Sequence, residues 1–230
     1  MRAAAQRAYG VMNDDFDFIF FVVNNATLPS GMPYGSTLPV KNVVAGLGMS
    51  TSLDDTAAYG SSGRLQAAVT LWKNSLDTGP ILHEMGHRWF NFGVPSSNGS
   101  HWPDYGLDSP AGAGTLGIFA GAGNNYADLE LYLMGLIPGS AVADGSKPLY
   151  DQLVAAQGPR SPAWPNAQTS FRGLVIVITA VDLDATAQAS MDGAVDWVQT
   201  RQSRSSGVNF TRQSLGLATL TLDGLGGSLR

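Results

Sequence analysis

The chain has 230 residues, of which 44% are hydrophobic and only 13% are charged, and its net charge is −5. That length and apolar content suffice for a packed core and exclude a largely disordered chain. The chain has no cysteine, which excludes disulfides, thiolate metal sites and cysteine nucleophiles. Without a Lys/Arg cluster or an apolar run of about 18 residues, we expect no nucleic-acid partner and no membrane span.

The N-terminal part predicts a helix followed by strands and loops. Residues 2–12 are rich in alanine and predict a short helix, and the apolar run 16–23 predicts a central strand. Proline and glycine interrupt residues 26–39, which predicts a loop. Two further strands are predicted, over 40–48 and over 64–72.

The next segment predicts a helix with clear start and stop signals. Asp77 can cap its first turn, and Pro80 suits a first-turn position because proline lacks an N–H. Gly93 and then Pro95 end the pattern. A helix of about 13 residues should therefore lie between these signals.

The rest of the chain continues the alternation of helices and strands. Residues 94–125 are rich in Gly, Ser, Pro and Asn, and irregular segments of this length inside compact domains are usually functional. The later predicted elements are helices over 126–136, 149–156 and 184–202 and strands over 171–181 and 217–225. The whole pattern predicts an α/β (α+β) fold in one domain, 1–230.

The helix beginning near Pro80 carries the sequence His83-Glu84-Met85-Gly86-His87. Residues four apart lie on one face of a helix, so the two imidazoles should project together as neighbouring ligands of a Zn²⁺ ion. Glu84 should reach a water molecule on that metal and act as a general base. With three His and two Glu in the chain, a chance HExxH is expected at roughly 2 in 10,000.

A catalytic zinc ion needs a third protein ligand. We favour His101, the one remaining histidine, which follows in the Gly-rich segment. Glu130 on the helix predicted at 126–136 is the first alternative, and it can instead orient a ligand histidine. Asp104 is the second alternative, although an aspartate in a Pro-Asp-Tyr-Gly sequence commonly belongs to a turn.

Attack of water on a carbonyl leaves an oxyanion that needs stabilisation, and a tyrosine hydroxyl commonly helps a zinc ion in this role. Among the available groups we favour Tyr126 or Tyr105. Tyr105 follows Asp104 directly, and Tyr126 begins the predicted helix that carries Glu130.

The stretch HEMGHRW resembles the active-site helix of the zincin metallopeptidases. The resemblance implies that His83 and His87 bind zinc and that Glu84 activates water. It also implies a twisted mixed sheet packed on the motif helix, with an edge strand that binds the substrate backbone. By similarity, the strand RLQAAVTL at 64–71 is the candidate for that edge.

The chain departs from the extended metzincin motif HExxHxxGxxH, because Phe90 and Gly93 stand where that motif has Gly and His. The longer combination HExGHRW…HW…YLMGL, roughly residues 78–138, resembles poorly characterised bacterial exported proteins. This second resemblance supports His101 and the 126–136 helix as parts of the site.

The sequence therefore predicts a zinc-dependent hydrolase, most readily an endopeptidase acting on a peptide or protein substrate. Two alternatives stay open: a surface adhesion module with a vestigial or structural zinc, and a zinc hydrolase of non-peptide amides. The low-lysine, Gly/Ser/Asn/Thr-rich composition suggests a secreted or cell-surface bacterial protein, of which this chain can be a fragment.

Overall fold

The computed structural model describes residues 1–47, 50–76, 79–90, 125–199 and 209–224. These ranges contain six α-helices and five strands. The helices are α1 (Arg2–Tyr9), α2 (Gly79–Phe90), α3 (Asp128–Met134), α4 (Lys147–Gln157), α5 (Ala185–Gln199) and α6 (Phe210–Gln213). The strands are β1 (Phe18–Val23), β2 (Gly35–Pro39), β3 (Ala67–Trp72), β4 (Ser170–Ile178) and β5 (Thr219–Gly224).

The five strands form one mixed sheet in the order β2-β3-β1-β4-β5. Strand β1 pairs in parallel with both β3 and β4, and β4 pairs in parallel with β5. Strand β2 is antiparallel to β3. The predicted mixed α/β architecture is thereby confirmed.

Both faces of the central strand β1 are buried, which explains why it is apolar at successive positions. Phe18 and Phe20 belong to a core that includes apolar residues of α2 and α3. Ile19 and Phe21 belong to a second core that includes Ala5 and Ala8 of α1. The sheet thus separates two hydrophobic layers, and the motif helix lies in the larger one.

Helix α2 is held against the sheet by aromatic contacts. The ring of Trp89 lies 5.9 Å from that of Phe18 and 5.4 Å from that of Phe171, measured between centroids. Buried aromatic pairs of this kind contribute roughly 0.5–1.5 kcal/mol each beyond the area they bury. These contacts fix the helix face that carries the polar motif relative to the strands.

The prediction of a loop over 26–39 and a strand over 40–48 was wrong in its placement. A strand occupies Gly35–Pro39, whereas residues 40–47 form only isolated bridges, at Lys41 and at Ala45. Glycine and proline argue against a central strand, but an edge strand tolerates proline because one side of its backbone needs no sheet partner. Composition alone therefore hid a strand at the edge of the sheet.

The expectation that the strand at 64–71 forms the edge was also wrong. Strand β3 lies between β2 and β1, and β2 is the outermost strand on this side of the described sheet. The residue order places β3 just before α2, but the edge position depends on strand pairing that sequence order does not determine.

In the described part of the chain, every helix is too short or too polar to cross a bilayer.

Candidate metal centre

The local sequence of α2 places its polar and apolar residues on different sides. Ile81, Leu82 and Met85 are fully buried in the larger core. The helix packs against β2, β3 and α3. Its apolar residues therefore anchor it, and the motif residues are left on the side nearer β2.

His83, Glu84 and His87 form a compact group on this helix. Their candidate ligand atoms all lie within 4.8 Å of one another. The two imidazole rings have centroids 4.8 Å apart and are nearly perpendicular, at 87°. His87 Nε2 lies 3.8 Å from Glu84 Oε2. The i, i+4 spacing thus brings two imidazoles and one carboxylate together, as the sequence predicted.

The group is shielded from solvent at two of its three members. Glu84 is 7% exposed and His87 is 6% exposed, whereas His83 is half-buried. Burial penalises a carboxylate charge and raises the pKa of Glu84 from 4.5 to about 6. Glu84 is therefore a carboxyl group that changes protonation state in the range where a general base for neutral-pH chemistry is useful.

Thr37, on the edge strand β2, contacts the acid directly. Its hydroxyl Oγ1 lies 2.9 Å from Glu84 Oε2 and 2.8 Å from the Glu84 backbone oxygen. The hydrogen bond to the carboxylate favours its charged form and partly opposes the effect of burial on the Glu84 pKa. The strand therefore supplies a hydrogen-bond donor to the motif helix.

Gly35 of the same strand lies against the Glu84 side chain. A Cβ atom at position 35 would stand 2.5 Å from Glu84 Cγ and 2.9 Å from its Cδ, well inside van der Waals contact. Only a residue without a side chain leaves the room that the Glu84 carboxyl group occupies.

The backbone of β2 offers hydrogen-bonding groups at its outer side. The N–H of Trp72 donates to the Tyr34 carbonyl, and the N–H of Val40 donates to the Gln66 carbonyl, so even-numbered residues face β3. In an antiparallel pair the alternate residues point the other way, which directs the backbone groups of Gly35 and Thr37 outward. Within the described ranges no strand pairs with that outer side.

Glu130 does not join the histidine group in the part of the chain that the structure describes. It is fully buried on α3, and its Oε2 accepts the Ala127 backbone N–H at 2.8 Å. That bond satisfies one of the free N–H groups at the start of the helix. The observed contact is a helix cap, and its role as a metal ligand stays a prediction.

Tyr126 lies in the larger core beside α2. It is 3% exposed, and its hydroxyl donates to the Leu82 backbone carbonyl at 2.9 Å. Burial, and secondarily the nearby Glu130 carboxylate, raises the pKa of its hydroxyl well above the usual value. The contact ties α2 to the start of the α3 segment, and a role in stabilising an oxyanion stays a prediction.

Three other predicted site residues, His101, Asp104 and Tyr105, lie outside the described residues. Two contributors to the site were missed instead, namely Thr37 and Gly35. No local signal marks them, because their segment reads as a Pro/Gly-rich loop and lies more than 40 residues from the motif. Only the pairing of β2 with β3 brings them beside Glu84.

The arrangement can hold a metal ion through nitrogen and oxygen donors. Imidazole and carboxylate ligands suit zinc and other first-row divalent metals, and the chain has no thiolate to offer.

No known protein family, curated protein or solved structure gave a match to this chain when each was compared with it.

Proposed function

We propose that the protein is a zinc-dependent hydrolase of the zincin type that cleaves peptide bonds. The observation that carries the proposal is the group formed by His83, Glu84 and His87 on one buried helix, with ligand atoms within 4.8 Å. The packing of this helix against a mixed sheet with an antiparallel edge strand supports the zincin-like interpretation.

The donor set fits zinc. The two imidazoles, one helical turn apart, would hold the zinc ion, with His101 as the proposed third ligand and Glu130 and Asp104 as the alternatives. When bound, the zinc ion lowers the pKa of water and polarises a carbonyl group. The carboxylate of Glu84 could then act as a base and take a proton from that water.

Glu84 acts as the proton carrier in the proposed reaction. In its charged form it takes a proton from the attacking water, whose oxygen forms a bond to the carbonyl carbon of the substrate. It then gives that proton to the amine nitrogen as the carbon–nitrogen bond breaks, which yields an acid and an amine. Its burial and its contact with Thr37 suit this task, since both tune the affinity of the carboxyl group for a proton.

The free side of the edge strand in the described sheet supports a peptide as the substrate. The outward backbone groups of Gly35 and Thr37 lie within reach of an extended chain, which can add to the sheet as a further strand. The same two residues contact Glu84, so a peptide bound there lies beside the base. A small non-peptide amide would make no use of this edge.

The test combines metal content with hydrolysis. Purified wild-type protein should bind one zinc ion per chain and cleave members of a fluorogenic peptide library, and chelation should abolish cleavage. The Glu84→Gln variant should still bind zinc but lose at least a hundredfold in kcat. Zinc-free wild-type protein after reconstitution would overturn the proposal, and undiminished activity of Glu84→Gln would exclude Glu84 as the base.

The same experiment separates peptidase activity from the other two functions that the motif permits. A structural zinc predicts that chelation unfolds the protein and that Glu84→Gln changes nothing. A hydrolase of small amides predicts cleavage of small chromogenic amides with no preference for extended peptides.

A further inference from the structure

We propose that Thr37 is a positioning residue that holds the carboxyl group of Glu84 in place from the edge strand, in a space that Gly35 leaves open. The inference rests on the proposed function, because it assigns Thr37 to the base of that reaction.

The Thr37 hydroxyl lies within hydrogen-bond distance of two oxygens of Glu84. A threonine hydroxyl carries one proton, and two acceptors of Glu84 lie within its reach: Oε2 at 2.9 Å and the backbone oxygen at 2.8 Å. A backbone carbonyl inside a helix already accepts a hydrogen bond from the N–H four residues later. The Thr37 proton therefore stabilises Glu84 Oε2 more than it stabilises the Glu84 backbone oxygen. Hydrogen bonds to charged acceptors are also about twice as strong as neutral ones.

Glycine at position 35 completes the arrangement. A glutamate side chain has three rotatable bonds, and holding it in one conformation costs side-chain entropy. Because Gly35 has no Cβ, the side chain of Glu84 can lie beside β2, where any side chain at position 35 would overlap Glu84 Cγ. Gly35 thus leaves space for the carboxyl group of Glu84, and Thr37 donates a hydrogen bond to it.

Strand β2 would bind the substrate and hold the carboxyl group of Glu84 with different atoms. Substrate pairing would use the outward backbone groups of β2, whereas the carboxyl group of Glu84 is held by the Thr37 side chain. A side-chain substitution at position 37 therefore separates the two tasks. It should change kcat and leave KM nearly unchanged, since every backbone group of the strand remains.

The kinetic test compares two substitutions of one residue with a control on the same strand. Thr37→Val keeps the shape and removes the hydroxyl, and we expect a loss of about tenfold in kcat at unchanged KM and unchanged zinc content. Thr37→Ser restores the hydroxyl and should recover most of kcat. Ser36→Ala removes the hydroxyl of an exposed neighbour and should match wild type.

A second measurement needs neither zinc nor activity. The chain has only two glutamates, so protein labelled with ¹³C at the glutamate δ-carboxyl group gives two resonances, and Glu84→Gln identifies one of them. In metal-free protein at fixed pH, Thr37→Val should move the Glu84 resonance and leave the Glu130 resonance in place. Thr37→Ser should leave both in place.

The two measurements distinguish the possible failures. If wild-type protein neither binds zinc nor cleaves peptides, the proposed function fails, and the carboxyl resonance still decides the role of Thr37. A Glu84 resonance that is identical in wild type and Thr37→Val overturns the inference, whatever the activity. If Thr37→Val does not fold, Thr37→Ala takes its place with the same expected shift.

Discussion

Because the carboxyl group of Glu84 is buried, we expect its charged form to destabilise the metal-free fold at neutral pH. Burial raises its pKa from 4.5 to about 6, so the folded protein binds more protons than the unfolded chain between these values. Stability contributed by the neutral carboxyl group is present below pH 4.5 and is lost as the pH rises through about 6. The difference of about 1.5 pH units, at 1.36 kcal/mol per unit, corresponds to about 2 kcal/mol.

Glu84→Gln replaces the carboxyl group by a neutral group of the same shape, which Thr37 can still contact. At pH 8 the metal-free variant should be more stable than metal-free wild type by up to about 2 kcal/mol, which for a protein of this size means a Tm higher by about 4–8 °C. At pH 4 the two proteins should be equally stable, because the wild-type carboxyl group is then neutral as well.

The assay is urea unfolding in the presence of a chelator, followed by tryptophan fluorescence, at a series of pH values from 4 to 8. Subtracting the two curves removes the titration of groups that do not contact Glu84. A stability difference that is the same at both ends of the range would refute the reasoning, since the effect would then not come from the charge. So would a wild type that is the more stable protein at pH 8.

Three further predictions concern the surroundings of the motif. Gly35→Ala should displace the carboxyl group of Glu84 and lower kcat at least tenfold, with a loss of about 1–3 kcal/mol in urea unfolding; full activity would contradict the contact. Tyr126→Phe should lower the stability by about 1 kcal/mol and leave kcat unchanged if the hydroxyl only bonds the helix carbonyl, whereas a large loss of kcat at normal stability would establish the oxyanion role. His101→Ala should abolish stoichiometric zinc binding, while Glu130→Gln should retain it, as measured by metal analysis after dialysis; the reverse result would make Glu130 the third ligand.

The motif helix could be predicted because its determinants are local. The spacing of His83 and His87, with Glu84 between them, follows from a period of 3.6 residues, and the first-turn Pro80 is a local start signal. The apolar strand β1 was likewise recognisable, because burial on both faces requires a continuous run of apolar residues. Such features depend on neighbours within a few residues along the chain.

The environment of Glu84 depends on a different kind of information. Residues 35–39 have the composition of a loop, and they form a strand because β3 offers them an edge on which to pair. Partners in that pairing lie 28 to 36 residues apart in the sequence, and the pairing brings Thr37 and Gly35 beside Glu84.

The sequence by itself therefore determined that His83, Glu84 and His87 come together in a group that could hold a metal ion, since one turn of helix suffices for that. Only the tertiary structure decided which strand lies at the edge, how deeply the carboxyl group is buried and what donates to it. Burial and strand order are properties of the packed sheet, because they arise from contacts between segments far apart in the chain.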